Sequence, residues 1–186
     1  EISNGGQLYW FAKFLEGRWP GVSYSTKAYA VLTKDIIVNQ NVLTDSGDLN
    51  GDGSDLREWK TISRYYGCFD GNNKVISGLY MKETGNNKYF GLFGKTDDTF
   101  ITKAEFHNII ISDSYYEISG DSNEIGGIVG YGDGGKINNC KFFGTIESSG
   151  NNRVGGIVGR CECAVIKCAN YGRITGDAGY VGGLIG

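Results

Sequence analysis

Proline, methionine and histidine each occur once in the 186 residues of this chain. A single proline excludes proline-rich linkers and a collagen repeat. Any Ser/His/Asp or Cys/His catalytic system would have to use the single histidine, His107. There is no His-Glu-x-x-His pair, so a zinc peptidase centre of that kind is excluded, and there is no Gly-x-Ser-x-Gly elbow. No dinucleotide or P-loop glycine pattern stands ahead of a helix, so phosphate binding has no support. No apolar run nears the roughly 20 residues of a membrane helix, so no membrane insertion is expected of this segment. Lys+Arg is 18 against Asp+Glu 21, a net charge of −3, which offers nothing to draw nucleic acid.

Glycine, in contrast, occurs 31 times, and aromatic residues are plentiful at 12 Tyr, 9 Phe and 3 Trp. The aromatics argue against disorder. The glycines recur in a short phrase: Tyr66-Gly67-Cys68-Phe69-Asp70, Phe90-Gly91-Leu92-Phe93-Gly94, Gly126-Gly127-Ile128-Val129-Gly130, Gly155-Gly156-Ile157-Val158-Gly159 and Gly182-Gly183-Leu184-Ile185-Gly186. The middle glycines are 24, 36, 29 and 27 residues apart. A recurrence in that range marks a stacked, solenoid architecture.

A second phrase aligns Val75-Ile76-Ser77-Gly78-Leu79, Glu105-Phe106-His107-Asn108-Ile109, Lys136-Ile137-Asn138-Asn139-Cys140 and Ala164-Val165-Ile166-Lys167-Cys168. Gly144 and Gly172 follow the last two at one offset, then Ile146 and Ile174. Each unit then holds about three short strands separated by Gly, Asn, Asp or Ser turns. Such units stack as coils of a parallel β-helix, each strand pairing with its equivalent roughly 4.8 Å along the axis. The handedness of parallel crossovers makes that helix right-handed. The glycines are expected to turn its corners by positive φ or by close backbone approach. The cysteines are Cys68, Cys140, Cys161, Cys163 and Cys168. Cys161-Glu162-Cys163 is too short for a CxxC site. Core packing is the expectation for Cys68, Cys140 and Cys168, with Cys140 beside Cys168 as packed thiols.

The first residues differ. Leu8, Phe11, Ala12 and Leu15 share one helical face, Asn4 and Gln7 resemble a capping box, and Gly17 is a stop signal. They predict a helix over about Gly6 to Glu16 that caps the solenoid, since terminal repeats need caps. Ala28 to Val38 reads as strand. The chain thus divides into cap helix and leading strand (1–38), an acidic Gly-rich insert (39–60) and coils (61–186). It is expected to be a mature or excised part of a longer protein.

Taken together, Ile125 to Gly130, Lys136 to Cys140 and Phe143-Gly144-Thr145-Ile146 resemble the GLUG motif repeat of bacterial surface proteins, and Val154 to Gly176 matches almost as well. The resemblance extends upstream through Phe69-Asp70-Gly71-Asn72 to the leader Glu1-Ile2-Ser3. It implies an extracellular, secreted or surface-attached protein, adhesin-like or the repeat region of an immunoglobulin A peptidase. It offers no catalytic residues to carry over.

Candidate sites follow from the residues themselves. Asp48, Asn50, Asp52 and Ser54 alternate as do the first ligands of an EF-hand loop, which makes the insert a candidate Ca²⁺ site; Trp59 stands where the closing Glu should be. Asp97, Asp98, Glu105, Asp113 and Glu117 form the densest acidic cluster, the place for a lyase or hydrolase centre on such a scaffold. Tyr65, Tyr66, Tyr89, Tyr115 and Tyr116 lie at strand ends, where one of each pair should face out and could meet a glycan or protein partner. His107 is expected at the surface. The reading is a non-catalytic, adhesin-like or structural module presenting a lateral surface to a host or matrix glycan or protein. The alternatives are a carbohydrate-active enzyme and the repeat region of a larger peptidase. Unpaired strand edges on the last coil would permit end-to-end self-association.

Overall fold

A computed structural model describes residues 1–17, 25–86, 88–96 and 103–186. The chain opens with α1 (Gly5–Leu15), followed by β1 (Ala30–Val31), β2 (Ile36–Ile37), β3 (Ile62–Arg64), β4 (Cys68–Asp70), β5 (Val75–Ser77), β6 (Tyr80–Thr84), β7 (Tyr89–Phe90) and β8 (Phe93–Lys95). Next come β9 (Glu105–His107), β10 (Ile110–Ser119), β11 (Glu124–Gly126), β12 (Val129–Asn138), β13 (Lys141–Gly155), β14 (Val158–Ile166), β15 (Ala169–Asn170) and β16 (Arg173–Gly182). All strand pairings between these elements are parallel, and equivalent strands lie one coil apart, so the chain is a β-solenoid of about four turns.

A full coil contributes five short strand segments, and these stack into five ladders. The first runs β1, β4, β9 and the ends of β12 and β14. The second runs β2, β5, then the starts of β10 and β13, then β15. The third runs β6, the end of β10, the middle of β13 and the start of β16. The fourth runs β7, β11 and the ends of β13 and β16, and the fifth β3, β8 and the starts of β12 and β14. Five segments replace the three expected per unit, because β10, β12 and β13 bend at bulges without leaving their sheets. The stretch Ala28 to Val38 likewise divides: β1 and β2 stand on different ladders, with a corner at Thr33–Asp35.

Period-two alternation turns one side of every strand inward. Ala30, Phe69, Phe106 and Ile137 stack in the first ladder, Ile36, Ile76, Ile111 and Phe142 in the second, and Ile62, Phe93, Val129 and Val158 in the fifth. All twelve are buried. Each such burial is worth about 1.5–3 kcal/mol for the larger side chains. The helix seals one end. Asn4 Oδ1 accepts from the Gln7 N–H at 3.0 Å, and Gln7 Oε1 accepts from the Ser3 N–H at 2.7 Å. Leu8, Phe11, Ala12 and Leu15 are buried, with Phe11 6.0 Å from the rings of both Tyr65 and Phe69.

The two glycine functions separate by place. At the turn from the fourth ladder to the fifth, none of Gly126, Gly127, Gly155 and Gly156 has a positive φ. A methyl at Gly127 would instead meet the carbonyl oxygen of Gly156 in the next coil and the ring of Phe142. The corner between the first two ladders uses left-handed asparagine: Asn73, Asn108 and Asn139 have φ of 55°, 55° and 53°. Asn139 Nδ2 donates to Asn108 Oδ1 at 2.8 Å and Asn108 Nδ2 to Asp70 Oδ1 at 3.0 Å, so the corner is an amide ladder. Two alignments made on sequence shift accordingly. Gly67-Cys68-Phe69 leads into the first ladder, whereas the other four copies of the phrase make the turn into the fifth. Val75-Ile76-Ser77 is second ladder; the true partner of Glu105-Phe106-His107 is Cys68-Phe69-Asp70.

Candidate functional site: the lateral groove and its aromatic strip

The insert is a strap across the coils. Leu43 bridges Leu49 antiparallel, Thr44 N donates to Asp48 O and Asn50 N to Val42 O, which closes a hairpin. Val42 packs on Tyr80 and Tyr115, with Leu43, Leu49 and Leu56 around them. Asp113 accepts from the Val42 and Leu43 N–H groups at 3.2 and 2.8 Å. Thr145 Oγ1 donates to Gly47 O at 2.7 Å, and Arg173 meets Asp48 at 2.7 Å and Glu147 at 2.9 Å. The strap therefore touches four successive coils on the outer side of the third ladder.

This placement decides several candidate residues. Tyr116 faces inward and is buried, and Tyr65 is buried under the cap helix with its hydroxyl on Ala28 O. Tyr115 points outward, as alternation requires, but the strap covers it, so neither member of that pair is exposed. Its hydroxyl donates to Glu147 at 2.7 Å, and burial together with that carboxylate raises its pKa. Tyr66 and Tyr89 are half-buried. Asp48, Asn50, Asp52 and Ser54 lie on the strap. Ser46 and Arg173 hold the Asp48 carboxyl below its usual range, and Asp52 Oδ1 accepts from the Ser54 N–H at 2.9 Å, which lowers it as well. Asn50 Nδ2 donates to Asn41 O.

The described members of the acidic cluster do not converge. Asp97 and Asp98 lie outside the described residues. Glu105 pairs with His107, Asp113 holds the strap, and Glu117 meets Lys82 at 3.0 Å. Cys140 is buried with Cys168 against it as free thiols, as expected, whereas Cys68 faces outward beside Glu105. Cys161 and Cys163 are joined as a disulfide.

Among the described residues, one open surface lies on the fourth and fifth ladders. The fourth ladder begins at β7, because the first coil carries the strap where a fourth-ladder strand would be. The gap is a groove of about 540 Å³ lined by Glu16, Lys60, Ser63, Glu83, Lys88 and Tyr89. Lys60 bridges Glu58 and Glu83 at 2.8 and 2.7 Å, and Ser63 donates to Glu16 at 3.1 Å. From Tyr89 a strip of rings and cations runs along the coils, in which Tyr89 is half-buried, Tyr131 buried and Tyr180 exposed. Tyr89 lies 5.8 Å from Tyr131, with Lys95 5.9 and 5.1 Å from the two ring centres. Arg160 covers the other part of Tyr131 at 4.8 Å, and Arg153 stands 5.4 Å from the exposed ring of Tyr180. Glu162 accepts from Tyr131 at 2.8 Å and pairs with Arg160 at 2.6 Å. Burial and that bond push the Tyr131 pKa up to about 12. Glu124 pairs with Arg153 at 3.1 Å; burial pushes its carboxyl up against the pull of the arginines. Tyr131, Tyr180, Lys95, Arg153 and Arg160 were not singled out on sequence. Their common signal is register: Tyr89, Glu124, Arg153 and Tyr180 are direct partners, as are Lys95, Tyr131 and Arg160.

Comparison with known proteins agrees with this architecture. The GLUG motif matches residues 121–147, which in the structure is one coil, from the approach to β11 to the middle of β13. Halomucin of Haloquadratum walsbyi is 37% identical over 98 residues, 53% of this chain. The match spans 1% of halomucin's own length. No solved structure matches the chain significantly. The resemblance to GLUG repeat proteins thus holds, and the chain is a repeat module. Among the described residues, no helix is long and apolar enough to cross a membrane.

Proposed function

We propose that the chain is an extracellular, adhesin-like module of a surface protein, and that its groove and strip hold a glycan. The observation that carries the reading is the position of Tyr89. Its ring lines the groove together with Lys60, Glu83 and Lys88, and the Tyr131–Lys95 pair adjoins it. Aromatic rings offer an apolar face to sugar C–H groups, and the ionic rim can orient hydroxyls. The GLUG motif and the likeness to halomucin support the surface setting. Of the groove's acids, Glu83 is in an ion pair with Lys60 and Glu16 accepts from Ser63, and the described acids Glu105, Asp113 and Glu117 are dispersed, which favours holding over hydrolysis.

A glycan array probed with the purified chain, followed by titration calorimetry on the best binder, tests this. Tyr89→Ala and Glu83→Gln should each weaken binding at least tenfold with the melting curve unchanged. Binding unaffected by both, or turnover of the glycan in a reducing-sugar or lyase assay, would overturn it.

A further inference from the structure

Away from the groove, the first ladder carries a second arrangement. Inward Phe69 and Phe106 are directly paired, so their neighbours Cys68, Asp70, Glu105 and His107 all face out in adjacent coils. Cys68 is the direct partner of Glu105, and Asp70 of His107. One ligand-type atom each of Cys68, Glu105 and His107 lies within 4.8 Å of the other two. The His107 Nε2 to Glu105 Oε2 distance is 2.8 Å. Asp70 is occupied otherwise, since its Oδ1 accepts from Asn72 N and Asn108 Nδ2. Cys68 and His107 are half-buried and Glu105 is exposed, so the cluster is held by the sheet yet open on one side.

We propose that Cys68, Glu105 and His107 form a three-ligand site for a borderline divalent cation of the Zn²⁺ class. The donor set carries the assignment. Thiolate, imidazole and carboxylate together suit Zn²⁺ and Co²⁺, whereas Ca²⁺ and Mg²⁺ take oxygen alone. Three protein ligands leave the fourth tetrahedral position to water. Two of the ligands sit on one strand at i and i+2, and the third sits opposite on the neighbouring strand, so the backbone sets their spacing. Burial, then the charges of Glu105 and Asp70, raise the Cys68 thiol pKa, so the metal-free site holds a protonated thiol. Binding converts Cys–SH to Cys–S⁻–metal and releases that proton to solvent. The hydrogen bond between Glu105 and His107 is replaced by two metal bonds, with the imidazole proton on the nitrogen that does not bind. No electrons are transferred. Because the ligands come from β4 and β9, the cation also ties two coils together.

Cobalt titration of the reduced, chelator-stripped chain tests this directly. A thiolate-to-cobalt charge-transfer band should saturate at one equivalent and be lost when Zn²⁺ is added. Cys68→Ser should abolish the band, and His107→Ala or Glu105→Gln should raise the Kd at least tenfold. The paired changes Cys140→Ser/Cys168→Ser and Cys161→Ser/Cys163→Ser should leave it intact, which separates this site from the other thiols. Zn²⁺ should raise the melting temperature of the wild type but not of His107→Ala, since a ligand of the native state alone stabilises it. A band that survives Cys68→Ser, or no band in the wild type, overturns the proposal. All three side chains face outward, and circular dichroism on each variant confirms that the fold is kept.

Discussion

The repeated glycine phrase permits a matched pair of substitutions at equivalent positions. In Gly127→Ala the new methyl meets the Gly156 carbonyl oxygen and the Phe142 ring, and neither is the free end of a flexible side chain. Phe142 is fully buried, so its ring has little room to withdraw. Overpacking of this kind costs about 1–3 kcal/mol, and a backbone contact belongs at the upper end. At about 2–4 °C per kcal/mol for a chain of this size, a 3 kcal/mol loss lowers the melting temperature by roughly 6–12 °C. In Gly183→Ala, one coil beyond Gly156, nothing lies within 4 Å of the added methyl, and φ is not in the left-handed region. That change should stay within about 0.5 kcal/mol of neutral, or roughly 1–2 °C. Thermal and urea denaturation followed by circular dichroism measure both. Phe142→Leu placed on Gly127→Ala should recover part of the loss, because it relieves one of the two contacts. Equal losses at Gly127 and Gly183 would refute close approach as the reason for these glycines.

Other outcomes follow from single residues. Lys167, with φ 52°, stands where three coils place asparagine, so Lys167→Asn should raise stability by about 0.5–1 kcal/mol in urea denaturation. Cys140 packed beside it lowers the Cys168 thiol below the ordinary cysteine value, so its reactive thiolate forms at lower pH than that of a free thiol. Iodoacetamide labelling should therefore set in below the ordinary value of about 8.5, and Cys140→Ala should move the midpoint up toward it. Arg173 occupies Asp48, so millimolar Ca²⁺ should leave the wild-type melting temperature unchanged; a rise confined to Arg173→Gln would assign the strap as a Ca²⁺ loop masked by that arginine.

The β-solenoid was legible because stacking repeats the same demand every coil. Buried Ile128 and Ile157, each after a glycine pair, and the helical spacing of Leu8, Phe11 and Leu15 signal their places directly. The number of ladders was not legible. Bulges at Asp113, at Gly134 and Gly135, and at Gly150, all of positive φ, let one strand serve two ladders, so these turn residues bend a strand where a turn reading ends it. The strip and the Cys68–Glu105–His107 cluster were hidden for another reason. Their direct partners are 27 to 37 residues apart across coils, so only register joins them. Tyr115 shows the converse limit. Its outward direction followed from alternation, but its burial depends on an insert about 60–70 residues upstream, and no local pattern reports that.

The strap has a mechanical consequence. In a plain solenoid each coil grips only its neighbours, so a pull along the axis can peel coils one at a time. Here one hairpin holds Tyr80, Asp113, Thr145 and Arg173 in four successive coils through apolar contact, backbone amides and an ion pair. Force applied to the last coil reaches the first through that splint as well as through the ladders. The coils should yield together under load, and removing the strap should turn one rupture event into several smaller ones.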